Sequence, residues 1–274
     1  MSLSVTFYCP RWGSGAVAWE TFVQRAIDSG YDGFEWGIPR DTPEKELRDV
    51  WALAQRRGLD IIPQHFDTTV TDFDEHCERY AAWFEKFVDL PVTKIDAQTG
   101  KDYYTFEQNC ALLEIADAFA KRTGITVLHE THRGKFAFAA HITQRYLDAL
   151  PNLRLTLDAS HWVNVAESYL HNQPEALALA LERTEHLHAR VGHTQAPQVP
   201  DPRVDEWREA LEVHLGWWDR LVARKRAAGD AELTIAPEFG PPPYLMTLPR
   251  TGEPVADQWE VNVYMMNLLR ERYA

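Results

Sequence analysis

The sequence predicts an α/β protein folded as a closed (β/α)8 barrel, and three observations carry that expectation. Short β-rich runs alternate with longer segments of helical period, the order expected of a parallel sheet covered by helices. Eight such units fill the 274 residues without a Pro/Ser-rich linker or a shift in composition, which matches one barrel domain spanning 1–274. An open doubly wound sheet would announce itself by a phosphate-binding loop, yet neither GxGxxG after a strand nor GxxxxGK followed by Ser or Thr occurs.

The elements follow in order. The strand at 4–9 leads into AWETFVQRAIDSG, 33–37 into PEKELRDVWALAQRRG, 60–66 into DFDEHCERYAAWFEKFVD, and 92–97 into TFEQNCALLEIADAFAKRTG. The second half repeats the alternation: 125–129 with HITQRYLDAL, 153–158 with PEALALALERT, 186–191 with DEWREALEVHLGWWDRLVARKRAAG, and 233–238 with ADQWEVNVYMMNLLRERYA. Gly30, Gly58, Gly124 and Gly229 each stand between a helical run and a strand, where a left-handed residue ends a helix at small steric cost. The last helix, 256–273, is expected to close the barrel beside the first, and the Pro-rich pieces 196–202 and 237–243 read as loops over its mouth.

Charge and cysteine usage exclude several functions. With 28 basic and 41 acidic side chains the net charge is −13, a surface that repels nucleic-acid phosphates and anionic lipid, and no basic run offsets it. Cys9, Cys77 and Cys110 are widely spaced and form no CxxC, which indicates neither a disulfide framework nor a thiolate zinc site. Cys9 reads as a buried, inert thiol. The N-terminus lacks a cationic head with an apolar stretch, and no segment approaches roughly 18 uninterrupted apolar residues, so a cytoplasmic protein is expected.

In such a barrel the chemistry gathers at the C-terminal ends of the strands. There the sequence places Glu130 in VLHETHRG, Asp158 in LTLDASHW, His188 in EHLHARVGH and Glu238 in IAPEFGPPPY, with His186 and His193 as alternatives to His188. Alternation along a strand turns Val127 and His129 toward the helices and Glu130 inward. The same parity turns Asp158 inward with Thr156, groups His186, His188 and Arg190, and groups Glu238 with Ala236 and Thr234. Three carboxylates and an imidazole around one point repel one another unless a cation lies between them. An oxygen-rich set with one imidazole suits a single divalent ion, Mn2+ or Mg2+ first, with Co2+ or Zn2+ also compatible.

Other polar and aromatic residues near the mouth have two readings. His65, in PQHFDTT, is either a substrate contact or a hydrogen-bonded core histidine, and Glu35, Lys94, Asp96 and Lys101 read as buttresses of the site. Trp12 reads as a pocket wall. Trp207, Trp217 and Trp218 lie in a helical segment and are expected to pack against the barrel.

The segments GYDGFEWG, HETHRG, LTLDASHW, HLHARVG and APEFGPPPY occur in an order and at strand ends that resemble the xylose isomerase-like TIM barrels. This sugar phosphate isomerase/epimerase group also holds ketose 3-epimerases and inosose dehydratases. The resemblance implies that Glu130, Asp158, His188 and Glu238 bind the metal, and that Glu130 and Glu238 move a sugar proton through an enediolate. It further implies that His161 binds substrate and that Trp162 walls the pocket. Ketose 3-epimerases carry a second substrate-contacting glutamate and an arginine where this chain has Phe136 and Thr194, and Arg190, His193 and Arg133 are the candidate replacements.

The expectation is a metal-dependent isomerase or epimerase of a small sugar or polyol. A dehydratase or lyase acting on a keto-sugar or keto-polyol, and a non-catalytic sugar-binding barrel, are the alternatives. A DNA-repair endonuclease also exists on this barrel, and the charge of −13 argues against it. No Gly-rich phosphate cradle is evident, which favours an unphosphorylated substrate. Neither nucleic acid nor membrane is expected as a partner, and a homo-oligomer is compatible with the sequence.

Overall fold

The computed structural model describes residues 3–274. Its first half consists of β1 (Ser4–Pro10), α1 (Trp19–Ser29), β2 (Gly33–Gly37), α2 (Glu44–Arg57), β3 (Asp60–His65), α3 (Phe73–Phe84), β4 (Lys94–Ala97) and α4 (Phe106–Thr123). The second half begins with β5 (Thr126–Glu130), α5 (Ala140–Ala149), β6 (Leu155–Leu157), α6 (Ala159–Ala166) and α7 (Pro174–Arg183). It ends with β7 (Thr184–His188), α8 (Arg208–Ala228), β8 (Glu232–Ala236) and α9 (Gln258–Tyr273). Each strand pairs in parallel with the next, and β8 returns to β1 through partners such as Thr6 and Thr234, closing the eight-stranded barrel. Gly30, Gly58, Gly124 and Gly229 are left-handed helix ends, as expected from their positions.

The apolar core is the layer between sheet and helices, where Phe7, Phe34, Ile95, Leu155 and Leu187 meet the helical faces. Inside the barrel, Tyr8, Ile62 and Ala236 form a separate small apolar group. The remaining interior is polar toward the strands' C-terminal ends. Cys9 lies in the outer layer, buried, and burial pushes its thiol well above the usual range. Trp217 and Trp218 pack in the same layer. Helix α9 docks on the first unit, where Arg270 donates to the Gly30 carbonyl at 2.6 Å and Trp259 meets Phe22 edge to face. No helix of the described residues is long and apolar enough to cross a membrane.

Four expectations need correction. The sixth strand is only Leu155–Leu157, because Asp158 leaves the ladder to cap a helix that the sequence reading missed, α6. That helix is short and its first five residues, Ala159 to Val163, are all buried, so it has no polar face long enough to generate a readable period. The seventh strand begins and ends earlier than expected, at Thr184–His188, since Val191 is already engaged by Val199 of the Pro-rich loop. The eighth strand stops at Ala236, two residues before Glu238. Finally, Trp162 does not wall the cavity: it is fully buried among the helices, and its indole N–H donates to the Ala137 carbonyl at 2.9 Å.

Candidate active site

Four consecutive strands deliver the central residues. Glu130 is the last residue of β5, Asp158 follows β6 as the N-cap of α6, His188 ends β7, and Glu238 lies just beyond β8. All four are buried, and each offers one donor atom such that the set lies within 4.8 Å of one another. The structure therefore places His188 among the carboxylates, whereas His186 faces Glu35 and His193 stacks outside on Trp207.

The donor atoms converge without satisfying one another. His188 Nδ1 lies 2.7 Å from Glu238 Oε2 and 3.4 Å from Glu130 Oε1. Neither that nitrogen, nor Glu238 Oε2, nor either Glu130 oxygen has an aligned hydrogen-bond partner, although all are buried. Buried polar atoms left in this state are costly, and a shared cation is the group that would satisfy them together. The donor set thus fits one divalent ion, with oxygen ligands outnumbering nitrogen.

The electrostatics are those of a crowded anionic cup. Burial, reinforced by Glu238, pushes the Glu130 carboxyl up to about 7. Burial would raise Glu238 as well, but His188 and Arg190 outweigh it and hold this carboxyl below its usual range. His188 shows the reciprocal effect: burial disfavours its charge, yet Glu238 and Glu35 keep its imidazole protonated well above the usual range. Asp158 is raised by burial, against the pull of Arg190.

Asp158 is also the most heavily hydrogen-bonded member of the group. It accepts from the Ser160 backbone at 3.0 Å, from the Ser160 hydroxyl, and from Arg190. Its own backbone exchanges hydrogen bonds with the Thr131 hydroxyl at 2.8 and 2.9 Å, which ties β6 to the end of β5. Glu238 is held differently. Its backbone is left-handed at φ 54°, a conformation costing an ordinary residue about 1–3 kcal/mol that persists only where the surroundings impose it. Asn262 of α9 takes the next backbone N–H at 2.8 Å, and Gln64 donates to Glu238 Oε1 at 3.2 Å.

Beneath this group lies a supporting layer. Glu35 of β2 meets His188 Nε2 at 2.9 Å and approaches His186 Nε2 at 3.5 Å, while His186 is fixed by the Thr234 hydroxyl at 2.7 Å. Burial alone would raise Glu35, but the two histidines hold it down to about 2. Gln64 bridges Glu238 and Asp96, whose carboxyl burial and Glu130 keep well above its usual range. Sequence reading treated Glu35 and Asp96 as generic buttresses. Their inward parity on the strands was the available signal, but their partners on β7 and β3 were not.

Above the group, Arg190 is fully buried, bound to Asp158 and 3.5 Å from Glu238, and it donates to His161 Nε2 at 2.8 Å. This fixes the His161 proton on Nδ1, a buried donor with no partner. His132 stacks against His161 with ring centres 3.9 Å apart. Glu130, His132 and His161 form a second compact donor cluster, but the guanidinium on His161 opposes a cation there. A cavity of about 690 Å³ opens beside the group, lined by Trp12, Trp36, Gln64, Phe66, Gln98 and Glu238. Trp12 is thus part of the wall, packed edge to face on Tyr244.

His65 is not brought to the site. It is Gln64 that points inward from β3, while His65 turns outward against Tyr80 and Trp83 and bonds the Thr68 hydroxyl at 2.7 Å. It is the hydrogen-bonded core histidine of the two readings. Phe136 is likewise core, packed on His129 and Tyr146, whereas Arg133 reaches over the Tyr244 ring at 5.0 Å.

A family model described as xylose isomerase-like TIM barrel matches residues 23–208. No curated protein matches the chain. Among solved structures, the probable 3-DHS dehydratase involved in petrobactin synthesis from Bacillus anthracis superposes with a TM-score of 0.57 at 17% identity, over 98% of this chain and 100% of that one. A D-psicose 3-epimerase solved with D-fructose gives 0.57 at 12% identity, over 99% of both chains. Mannonate dehydratase from Streptococcus suis gives 0.58 at 11%, over 100% of this chain and 95% of that one. At these identities the likeness is one of fold.

Proposed function

The chain belongs to the xylose isomerase-like TIM barrel family, and from this premise we propose a divalent-metal-dependent enzyme that moves a proton next to the carbonyl of a small sugar or polyol-ketone. The observation that carries the reading is the convergence of buried, unpartnered donor atoms from Glu130, His188 and Glu238 beside an open cavity. These residues and Asp158 would hold the ion. When bound, it would supply positive charge beside the substrate's carbonyl oxygen.

The protein's own groups divide the remaining work. Glu238, kept ionised beside His188 and Arg190, is the carboxylate suited to accept the carbon-bound proton. Glu130, with its carboxyl pushed up to about 7, is suited to hold and return a proton at neutral pH. His161 offers its unpartnered Nδ1–H to a substrate oxygen, and Arg190 orients both His161 and Asp158. Trp12 forms part of the cavity wall beside these groups.

Return of the proton to a neighbouring or opposite position gives isomerisation or epimerisation. Loss of a β-hydroxyl from the same enediolate gives dehydration, a second reading favoured by the core placement of Phe136 where ketose 3-epimerases have a substrate-contacting glutamate. Turnover of a sugar and sugar-acid panel with manganese-loaded and chelator-treated protein tests the proposal, with mass spectrometry separating isomers from products that have lost water. Equal turnover by the stripped protein would overturn it.

A further inference from the structure

The loop after β5 carries two cations that the proton-transfer chemistry leaves unused. Lys135 is only 7% exposed, yet among the described residues its amine has no carboxylate at ion-pair distance and only a long hydrogen bond, 3.5 Å, to the Phe66 carbonyl. Arg133, from the same loop, reaches Asn164 at 3.4 Å and the Tyr244 ring, again without a carboxylate. In a chain with 41 acidic side chains, pairing partners are not scarce. Buried charge without a partner is destabilising and is retained where it meets something the folded chain does not itself contain.

The position of Lys135 says where that partner would lie. Backbone bonds from Lys135 to His132 and from Phe136 to Thr99, both 3.1 Å, pin the loop across the ends of β5 and β4. The side chain then extends to the end of β3, where Phe66, Gln64 and Glu238 line the cavity. The amine therefore lies at the β3 side of the barrel, across from Arg190, which follows β7 and is already bound to Asp158. Burial and the neighbouring Lys101 lower it, against the attraction of Glu130 and Asp67, to about 8, so it remains mostly charged at neutral pH.

We infer that the substrate is an acid, a small polyhydroxy keto acid or hydroxy acid, whose carboxylate is received by Lys135 while its reacting end lies among Glu130, His188 and Glu238. This rests on the proton-transfer reading of the site and narrows its substrate class. A neutral ketose would leave the buried amine unpaired in the complex.

Isothermal titration of manganese-loaded protein with five- and six-carbon aldonates, each beside the alditol of the same configuration, tests the inference. The wild type should bind at least one aldonate about tenfold more tightly than its alditol, the size of one hydrogen bond to a charged group. Lys135→Met should abolish that preference, leave metal content unchanged and raise Tm, because it removes a buried charge that no close ion pair holds. Lys135→Arg should retain part of the preference. Equal binding of the neutral partner, a preference that survives in Lys135→Met, binding of no aldonate, or a fall in Tm that marks the lysine as structural would each overturn the inference. Metal-loaded protein that turns over neutral ketoses defeats the acid substrate alone, whereas protein that takes up no metal defeats the underlying reaction.

Discussion

Glu35 Oε2 and His188 Nε2 lie 2.9 Å apart inside the barrel, joining β2 to β7. The carboxylate holds the proton of His188 on the nitrogen that faces down the barrel and so directs Nδ1 toward Glu130 and Glu238. A histidine ligand with such a carboxylate behind it is both oriented and made more basic.

Replacing Glu35 with alanine should therefore weaken manganese retention about 10–100-fold while the barrel stays folded. Chelator competition measures the affinity, and circular dichroism the fold. Unchanged affinity would mean that the carboxylate does not position the ligand.

Glu130→Gln and Glu238→Gln should each lower turnover about 10²–10⁴-fold, the range of a lost general acid or base. His188→Ala should act first on metal content. Wild-type activity in Glu238→Gln, measured at saturating manganese, would remove that residue from the proton-transfer assignment.

Manganese affinity should fall as pH drops below about 7. In the metal-free protein Glu130 carries a proton up to about 7 and His188 stays protonated above its usual range, so the ion must displace both protons, and Glu130 adds to that demand as pH falls. Titration at pH 8 and pH 6 should show the weaker binding at pH 6, with proton uptake or release visible as a dependence of the measured heat on buffer. Pure pH independence across this window is incompatible with Glu130 as a ligand.

A separate pH effect concerns stability. His214 Nδ1 donates to the Ala210 carbonyl at 2.8 Å while Nε2 accepts from the Gly192 backbone at 3.3 Å, so only the neutral ring satisfies both. Burial lowers its pKa to about 4, below the ordinary value. Between roughly pH 6.5 and 4 the unfolded chain binds the extra proton, and this contribution to stability, complete above 6.5, is lost as pH falls. Urea unfolding at pH 7 and pH 5 should show a drop that His214→Gln reduces.

Removing α9 should unfold the chain. Val261, Met265, Met266 and Leu269 are its own buried residues, and at about 1.5–3 kcal/mol each the loss of their burial rivals the whole net stability of a typical domain, about 5–15 kcal/mol. A chain ending at Val255 that still melts cooperatively would show that the first unit does not need this cover.

What could be read from the sequence was what alternation and position determine. Period two along β5 put Glu130 inside and His129 outside, and strand-end location brought Asp158, His188 and Glu238 together with it. The inward residue of PQHFDTT was harder to choose, because Gln64 and His65 are adjacent polar residues and pattern alone does not say which one faces in. Trp162 was placed by its neighbour His161, although consecutive helical residues point to different sides. The pairing of Glu35 with His188 joins residues 153 positions apart and exists only once the barrel closes.

The left-handed backbone at Glu238 sets chemistry and durability against each other at one codon. Glycine there would relieve the strain at φ 54° but delete the carboxylate. Libraries screened for heat resistance alone should be drawn toward that exchange, enriching sturdier but inert barrels. Recovery of Glu238 under a combined screen for heat resistance and turnover would mark where the requirements of the reaction overrule those of the fold.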